Sequence, residues 1–217
     1  MDELSKSSDL NYIVVEGPIG VGKTYLAERL AERFSWRLLL EEAETNPFLK
    51  DFYRDRERYA FQTQLYFLVS RFRQQQEFFY RDLFTGGMVS DYVFAKDRIF
   101  ATINLSEKEL ALYDRIQTAL VEKTPLPDLI VYLTAEVKVL LERIKSRGRS
   151  FEREMEPEYL EKLSEAYSQF FFHYDRSPLL VVNTNNLDLV SNHEHLDDLI
   201  EQIRKPPLGK RYYNPSW

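Results

Sequence analysis

Cysteine is absent from the 217 residues of this chain, which excludes disulfides, thiolate nucleophiles and cysteine-bound metals. Long apolar runs are missing as well. Stretches such as YIVV and RLLL are far shorter than a membrane span, so no membrane partner is expected. The opening MDELSKSSDL has no basic-then-apolar pattern of a secretion signal, and a cytoplasmic location is the expectation. There is no excess of positive charge: the formal net charge is −6, which argues against a broad electrostatic grip on nucleic acid. Nor does a repeat, a low-complexity tract or a linker divide the chain. One domain over residues 1–217 is expected, a length that suits a single core. An acidic protein still holds an anion where a few cations are concentrated, and around Arg147 they are.

The regular elements read as an alternation. Short apolar or β-branched runs predict strands at Tyr12–Val15, Arg37–Leu40, Met88–Asp91, Leu129–Leu133 and Leu179–Val182. Helical periodicity fills Gly22–Phe34, roughly Arg56–Phe84, Glu107–Glu122, Glu136–Arg147, Glu158–Tyr174 and Leu196–Arg204. Strands separated by helices imply a five-stranded, parallel sheet covered on both faces, a three-layer α/β/α fold. Ligands in such sheets bind beyond the carboxyl ends of the strands. Glu16, Glu41 and Asp91, each closing a predicted strand, should therefore converge on one crevice.

Gly17-Pro18-Ile19-Gly20-Val21-Gly22-Lys23-Thr24 satisfies G-x-x-x-x-G-K-[ST] between a strand and an amphipathic helix. Glycine lets backbone N–H groups turn inward around phosphate oxygens, and the helix start adds its positive end. Lys23 should reach the terminal phosphates and the Thr24 hydroxyl should hold Mg²⁺. The loop predicts a nucleoside triphosphate ligand, but it does not say what receives the phosphate. No Asn-Lys-x-Asp segment that would read guanine in a GTPase occurs.

Further on, Arg143-Ile-Lys-Ser-Arg147-Gly-Arg149-Ser-Phe-Glu152 places three guanidiniums in seven positions. Arg143 and Arg147 share a helix face and Gly148 ends the helix. Taken alone, such cations also suit the negative end of a helix. As a group around a glycine they read as an arginine-rich lid, about 147–156, which neutralises a transferring phosphoryl group and excludes water.

The P-loop, this lid, EEAETNPFLKDFY and the ungapped run from Glu57 to Arg73 together resemble the deoxynucleoside kinase family, from about Tyr12 to Tyr174. The resemblance implies a P-loop kinase fold and transfer of the γ-phosphoryl group of ATP, with Mg²⁺, to a deoxynucleoside 5′-hydroxyl. It makes Glu41 the catalytic base, with Glu42 its rival; adjacent strand residues point oppositely. It selects Gln64 over Gln62, about 200° away around the helix, as the amide that reads the nucleobase, with Arg71 two turns on and Asp97. It implies that Tyr53 and Glu152 bind the sugar 3′-hydroxyl and that Asp91 acts on Mg²⁺. Lys23, Arg143, Arg147 and Arg149 complete the catalytic set. The chain departs from the family pattern at Tyr92, where an arginine is expected; Arg98 is the nearby cation considered as its replacement. The Gln64, Arg71 and Asp97 set resembles the branch that handles purine deoxynucleosides and deoxycytidine rather than thymidine specialists. The NPFL segment and the Asp-Tyr pair look most like bacterial deoxyguanosine and deoxyadenosine kinases. A purine deoxynucleoside is therefore expected, with deoxycytidine as the alternative.

An aromatic-rich helix with Phe61, Tyr66, Phe67, Phe72, Phe78 and Phe79 has apolar residues on more than one face, and family members pair there, so a homodimer is expected. His193 and His195 read as the polar start of a helix after Asn192 rather than a metal site. The tail at about 205–217, KPPLGKRYYNPSW, cannot be strand or helix throughout because of its prolines. Two other functions stay open at this point. A nucleoside monophosphate kinase would need a second cationic subsite, for which Arg54, Arg56 and Arg58 are candidates. A nucleotide-gated binding protein would bind ATP without turnover.

Overall fold

The structure is a computed structural model; it describes residues 10–81, 86–121, 124–149, 152 and 155–215, and for residues 78–81 and 121 the backbone only. The side chains of Phe78 and Phe79 thus lie outside the described residues. Six strands are β1 (Tyr12–Glu16), β2 (Arg37–Leu39), β3 (Met88–Ser90), β4 (Leu129–Thr134), β5 (Leu179–Asn183) and β6 (Lys210–Tyr213). Between them run α1 (Lys23–Phe34), α2 (Leu49–Arg54), α3 (Arg56–Arg81), α4 (Asp97–Asn104), α5 (Glu107–Val121), α6 (Val137–Arg147), α7 (Pro157–His173) and α8 (His193–Arg204). The sheet order is β2-β3-β1-β4-β5-β6 and every pairing is parallel.

The continuous apolar runs of β1 and β4 sit where such runs must, in strands buried on both faces. Helix α1 lays Leu26, Ala27, Leu30 and Ala31 against the sheet. From α7, Phe171 stacks on Tyr132 of β4 with ring centroids 4.4 Å apart. The connection after β1 leads outward to β2, whereas that after β3 crosses back over β1 to β4. Connections leaving in opposite directions open a crevice at the carboxyl ends of β1 and β3, and the site lies there.

Two features depart from the expected layout. The sheet has a sixth strand, inside the tail whose prolines keep it from being strand throughout. Pro206 and Pro207 precede it; Lys210–Tyr213 keeps its N–H groups and pairs with Leu179–Val182. Lys210 then donates to the Phe171 and Phe172 carbonyls at 2.7 and 2.6 Å, closing the negative end of α7. The second departure is α2 and α4, which are too short for periodicity to reveal. Helix α8 starts as expected: the Asn192 side chain accepts from the N–H groups of Glu194 and His195.

Candidate active site

The loop between β1 and α1 needs glycine for steric reasons. Gly17 has φ 149°, and a Cβ there would lie 2.3 Å from the Leu133 carbonyl oxygen. At Gly20 a Cβ would come within 2.8 Å of the Leu140 carbonyl oxygen. Side chains are excluded toward β4 and α6, which leaves the loop backbone to line the crevice. Lys23 Nζ donates to the Gly17 and Pro18 carbonyls at 2.8 and 3.1 Å. Burial, with Lys96 nearby, lowers its ammonium to about 8 against the opposing pull of Glu16, Glu41 and Asp91.

Asp91 follows β3 and ties the crevice together. Its Oδ2 accepts from Thr24 Oγ1 at 2.6 Å, and its Oδ1 accepts from the Glu41 N–H at 2.7 Å. It does not cap the helix that follows, whose N-cap is Lys96. Glu41 turns inward while Glu42 is exposed, as alternation beyond β2 requires. The Glu41 carboxylate meets two cations. Arg71 Nε donates to Oε1 at 2.6 Å and Arg71 Nη2 reaches the same oxygen; Lys96 Nζ lies 3.2 Å from Oε2. Arg71 in turn pairs through Nη1 with Asp97. Burial alone would raise the Glu41 carboxyl, but Arg71, Lys96 and Lys23 outweigh it and hold it at about 2.

Two cavities meet on this framework. The larger, about 570 Å³, is lined by Gly20–Tyr25, Arg143, Arg147, Arg149, Thr184 and Leu187–Val190. The smaller, about 200 Å³, is walled by Glu41, Tyr53, Gln64, Phe67, Arg71, Asp91 and Glu152, among others. Gly20, Lys23, Thr24, Arg147 and Arg149 line both. Of the three lid-region arginines, Arg143 differs from the others. Its guanidinium donates to Thr184 Oγ1 at 2.9 Å and to the carbonyls of Thr184 and Leu187 at 2.8 and 3.1 Å. It therefore braces the loop after β5, whereas Arg147 bonds both oxygens of Glu152 at 2.6 and 2.7 Å. Arg149 lies 3.4 Å from Glu44. Of the lid segment, residues 150, 151, 153 and 154 are outside the described residues.

The family model described as Deoxynucleoside kinase matches residues 13–206. The chain belongs to the deoxynucleoside kinase family. It is thus an enzyme of phosphoryl transfer to a deoxynucleoside. A deoxyguanosine kinase of Bacillus subtilis (strain 168) is 33% identical, over 89% of this chain and 96% of that protein. A deoxyadenosine/deoxycytidine kinase of the same organism is 32% identical, covering 88% and 90%. Among solved structures, deoxyadenosine kinase from M. mycoides with bound dATP superimposes with a TM-score of 0.77 at 24% identity, covering 88% of this chain and 98% of that one. At that identity the likeness is one of fold.

Within this family member the remaining expected residues fall as follows. Gln64 is buried, lines the smaller cavity, and its carboxamide oxygen has no hydrogen-bond partner among the described residues. Gln62 is exposed on the far side of α3. Tyr53 lines the same cavity, and burial pushes its phenol up. Asp97 is fully buried behind Arg71 and is not among the lining residues. Arg98, considered as the replacement for the missing arginine, faces outward and pairs with Asp114 at 3.1 and 3.2 Å. Tyr92 is buried, and its hydroxyl donates to Gln74 Oε1 at 3.2 Å. Sequence reasoning missed Lys96 altogether. It precedes Asp97 in a charged Ala-Lys-Asp-Arg run that reads as solvated, and only the apolar residues flanking that run hint that it is inside. No helix among the described residues is long and apolar enough to cross a membrane, and no cluster of metal-ligating side chains stands out among them.

Proposed function

We propose that the chain moves the terminal phosphoryl group of ATP to the 5′-hydroxyl of a purine deoxynucleoside, in one domain spanning the chain. The observation that carries this reading is the shared wall. Lys23, Thr24, Arg147 and Arg149 line both cavities, so a phosphate held between them faces a donor on one side and an acceptor on the other. The larger cavity would take ATP along the backbone of residues 17–24, with Lys23 and the lid arginines on the transferring group. Arg143 would hold the loop 184–187 that walls this side.

The smaller cavity would take the nucleoside. Glu41 projects into it beside Lys23 and Thr24, ionised at neutral pH and able to accept the hydroxyl proton. Tyr53 and Glu152 supply partners for the sugar 3′-hydroxyl, and a close phenol disfavours a 2′-hydroxyl. The carboxamide of Gln64 offers a donor and an acceptor to a base edge, and Arg71, backed by Asp97, offers a guanidinium beside it. Thr24 and Asp91 bring two hard oxygens within 2.6 Å of each other, a donor set that fits Mg²⁺. The ion, when bound, would neutralise charge on the phosphates. The purine preference takes its support from the names of the Bacillus relatives and from the NPFL and Asp-Tyr segments.

A phosphorylated acceptor is less well served. Arg56 is paired with Glu156 at 2.8 Å and lies over the Tyr159 ring, and neither Arg54 nor Arg58 lines the acceptor cavity. We further infer a cytoplasmic homodimer joined through the outer face of α3 and α5, where Val69 and Leu112 are about half exposed. The test is direct. Protein, Mg-ATP and each deoxynucleoside are incubated separately and the monophosphates measured; purine deoxynucleosides should be converted fastest. Conversion of deoxynucleoside monophosphates alone, or ATP binding with no product, would refute the reading.

A further inference from the structure

Lys96 is one of the most deeply enclosed charged groups of the molecule: it is 2% exposed. It stands on the short turn Phe94–Lys96 between β3 and α4, with Glu41 Oε2 at 3.2 Å and Glu16 Oε1 at 3.6 Å. A buried ammonium is tolerated only when paired, and these two carboxylates provide the pairing. They are not equivalent. Glu16 is immobilised: its oxygens accept from the N–H groups of Gly17 at 3.0 Å and Val93 at 2.9 Å, and from the Tyr167 hydroxyl at 3.3 Å. It opens onto neither cavity. Glu41 does open onto the acceptor cavity. Lys96 is therefore braced from behind by a fixed anion and presents its charge forward to the carboxylate that meets the substrate.

The backbone beneath that carboxylate is held too. Asp91 accepts the Glu41 N–H, while Gln74, fixed by the Tyr92 hydroxyl, donates to the Leu40 carbonyl at 3.4 Å. The side chain itself has two cations, one on each oxygen. Arg71 lines the acceptor cavity and Lys96 does not. A nucleobase drawing on the Arg71 guanidinium competes with Glu41 for it. The contact from Lys96 has no such competitor.

We propose that Lys96, braced by Glu16, is the positioning residue that keeps the Glu41 carboxylate aimed at the acceptor hydroxyl while Arg71 is engaged by the nucleobase. The inference rests on the reading of Glu41 as the base. It assigns to a lysine five residues beyond Asp91 the work that the Asp91-Tyr92 pair, lacking an arginine, leaves undone.

The experiment compares wild type, Lys96→Met, Lys96→Arg and the neutral pair Glu16→Gln/Lys96→Met in steady-state assays with Mg-ATP and the preferred deoxynucleoside. Lys96→Met should lower kcat about tenfold to a hundredfold, since misaiming a reacting group by about 1 Å can cost about 10²-fold. The deoxynucleoside KM should stay within about threefold, because aiming acts on the reacting step rather than on binding. Lys96→Arg, which keeps a cation, should recover much of the loss. Should Lys96→Met not fold, the neutral pair leaves no buried charge unmatched and decides the matter by the same split. Wild-type kcat in a folded Lys96→Met or in the pair overturns the proposal. So does an arginine variant as slow as the methionine one, or a loss confined to KM. An inactive wild type would instead refute the functional reading, so the two failures are distinguishable.

Discussion

The loop at residues 17–24 and the charged cluster behind Glu41 handle anions in opposite ways. The loop turns backbone toward the crevice, and its side-chain needs are mainly negative: no Cβ at Gly17 or Gly20, where the Leu133 and Leu140 carbonyls stand too close. The cluster is all side chain. Glu16, Glu41, Arg71, Lys96 and Asp97 come from β1, the end of β2, α3, a turn and α4, and each neutralises its neighbour. A backbone site is compact in sequence because neighbouring N–H groups must converge. A side-chain site has no such constraint, and its members here span from residue 16 to residue 97. The first should fail in binding or using phosphate, the second in chemistry and selectivity.

Lys23→Ala breaks the phosphate side most directly. We expect turnover to fall about 10³-fold, at the upper end of what removing one charge-stabilising group costs, while deoxynucleoside binding measured by calorimetry is unaffected. A loss of nucleoside affinity as large as the loss of turnover would mean the two halves are not separate.

Glu41→Gln tests the other side. If Glu41 is the base as proposed, kcat should drop about 10²-fold or more and nucleoside affinity should change little; undiminished kcat would remove Glu41 from the chemistry. The same variant has a pH signature in stability. The Glu41 carboxyl is held at about 2 when folded, against an ordinary value of 4.5. Its contribution is therefore fully present above about pH 5 and is lost as pH falls toward 2. It amounts to about 3 kcal/mol from a shift of this size. Because a glutamine resembles the protonated acid, the gap in Tm between wild type and variant should narrow from pH 5 to pH 2. A gap constant over that range would show that the cations do not hold this carboxylate.

Arg71→Ala has a smaller expected effect, about tenfold on relative kcat/KM among deoxynucleosides, measured by competition between pairs of substrates. Unchanged ratios would move base recognition to Gln64 and other groups. Because Lys96 still holds the other oxygen of Glu41 in this variant, kcat should fall less than in Lys96→Met, and the main loss should be one of selectivity.

The same contrast explains what the sequence made legible. The six longer helices and five apolar strands could be read because burial on a regular element leaves a repeating trace over many residues. Short elements leave little trace, so α2, α4 and β6 went unread, and with them the surroundings of Asp97 and Lys96. Glu41, Gln64 and Arg71 were reached through resemblance; strand alternation then set Glu41 apart from Glu42, and the helical angle placed Gln62 away from Gln64. Beyond the apolar residues flanking its run, nothing local marks Lys96. Its neighbours in space are Glu16 and Glu41, and a lysine next to Asp97 and Arg98 in sequence looks like one more solvated charge.

Glu42 offers the smallest effect and the sharpest control on that choice. It adjoins Glu41, carries the same carboxylate, and a count along the chain alone would not separate the two. The structure separates them by direction: Glu41 faces Arg71 and Lys96, whereas Glu42 is exposed, lines neither cavity, and accepts locally through its backbone carbonyl from Thr45 Oγ1 at 2.7 Å. Replacing an exposed carboxylate by its amide removes little beyond a solvated charge, within about 0.5 kcal/mol. Glu42→Gln should therefore retain kcat and KM within about twofold of wild type. If this variant instead lost as much kcat as Glu41→Gln, both carboxylates would have to reach the acceptor, and alternation at the end of β2 would no longer select a single base.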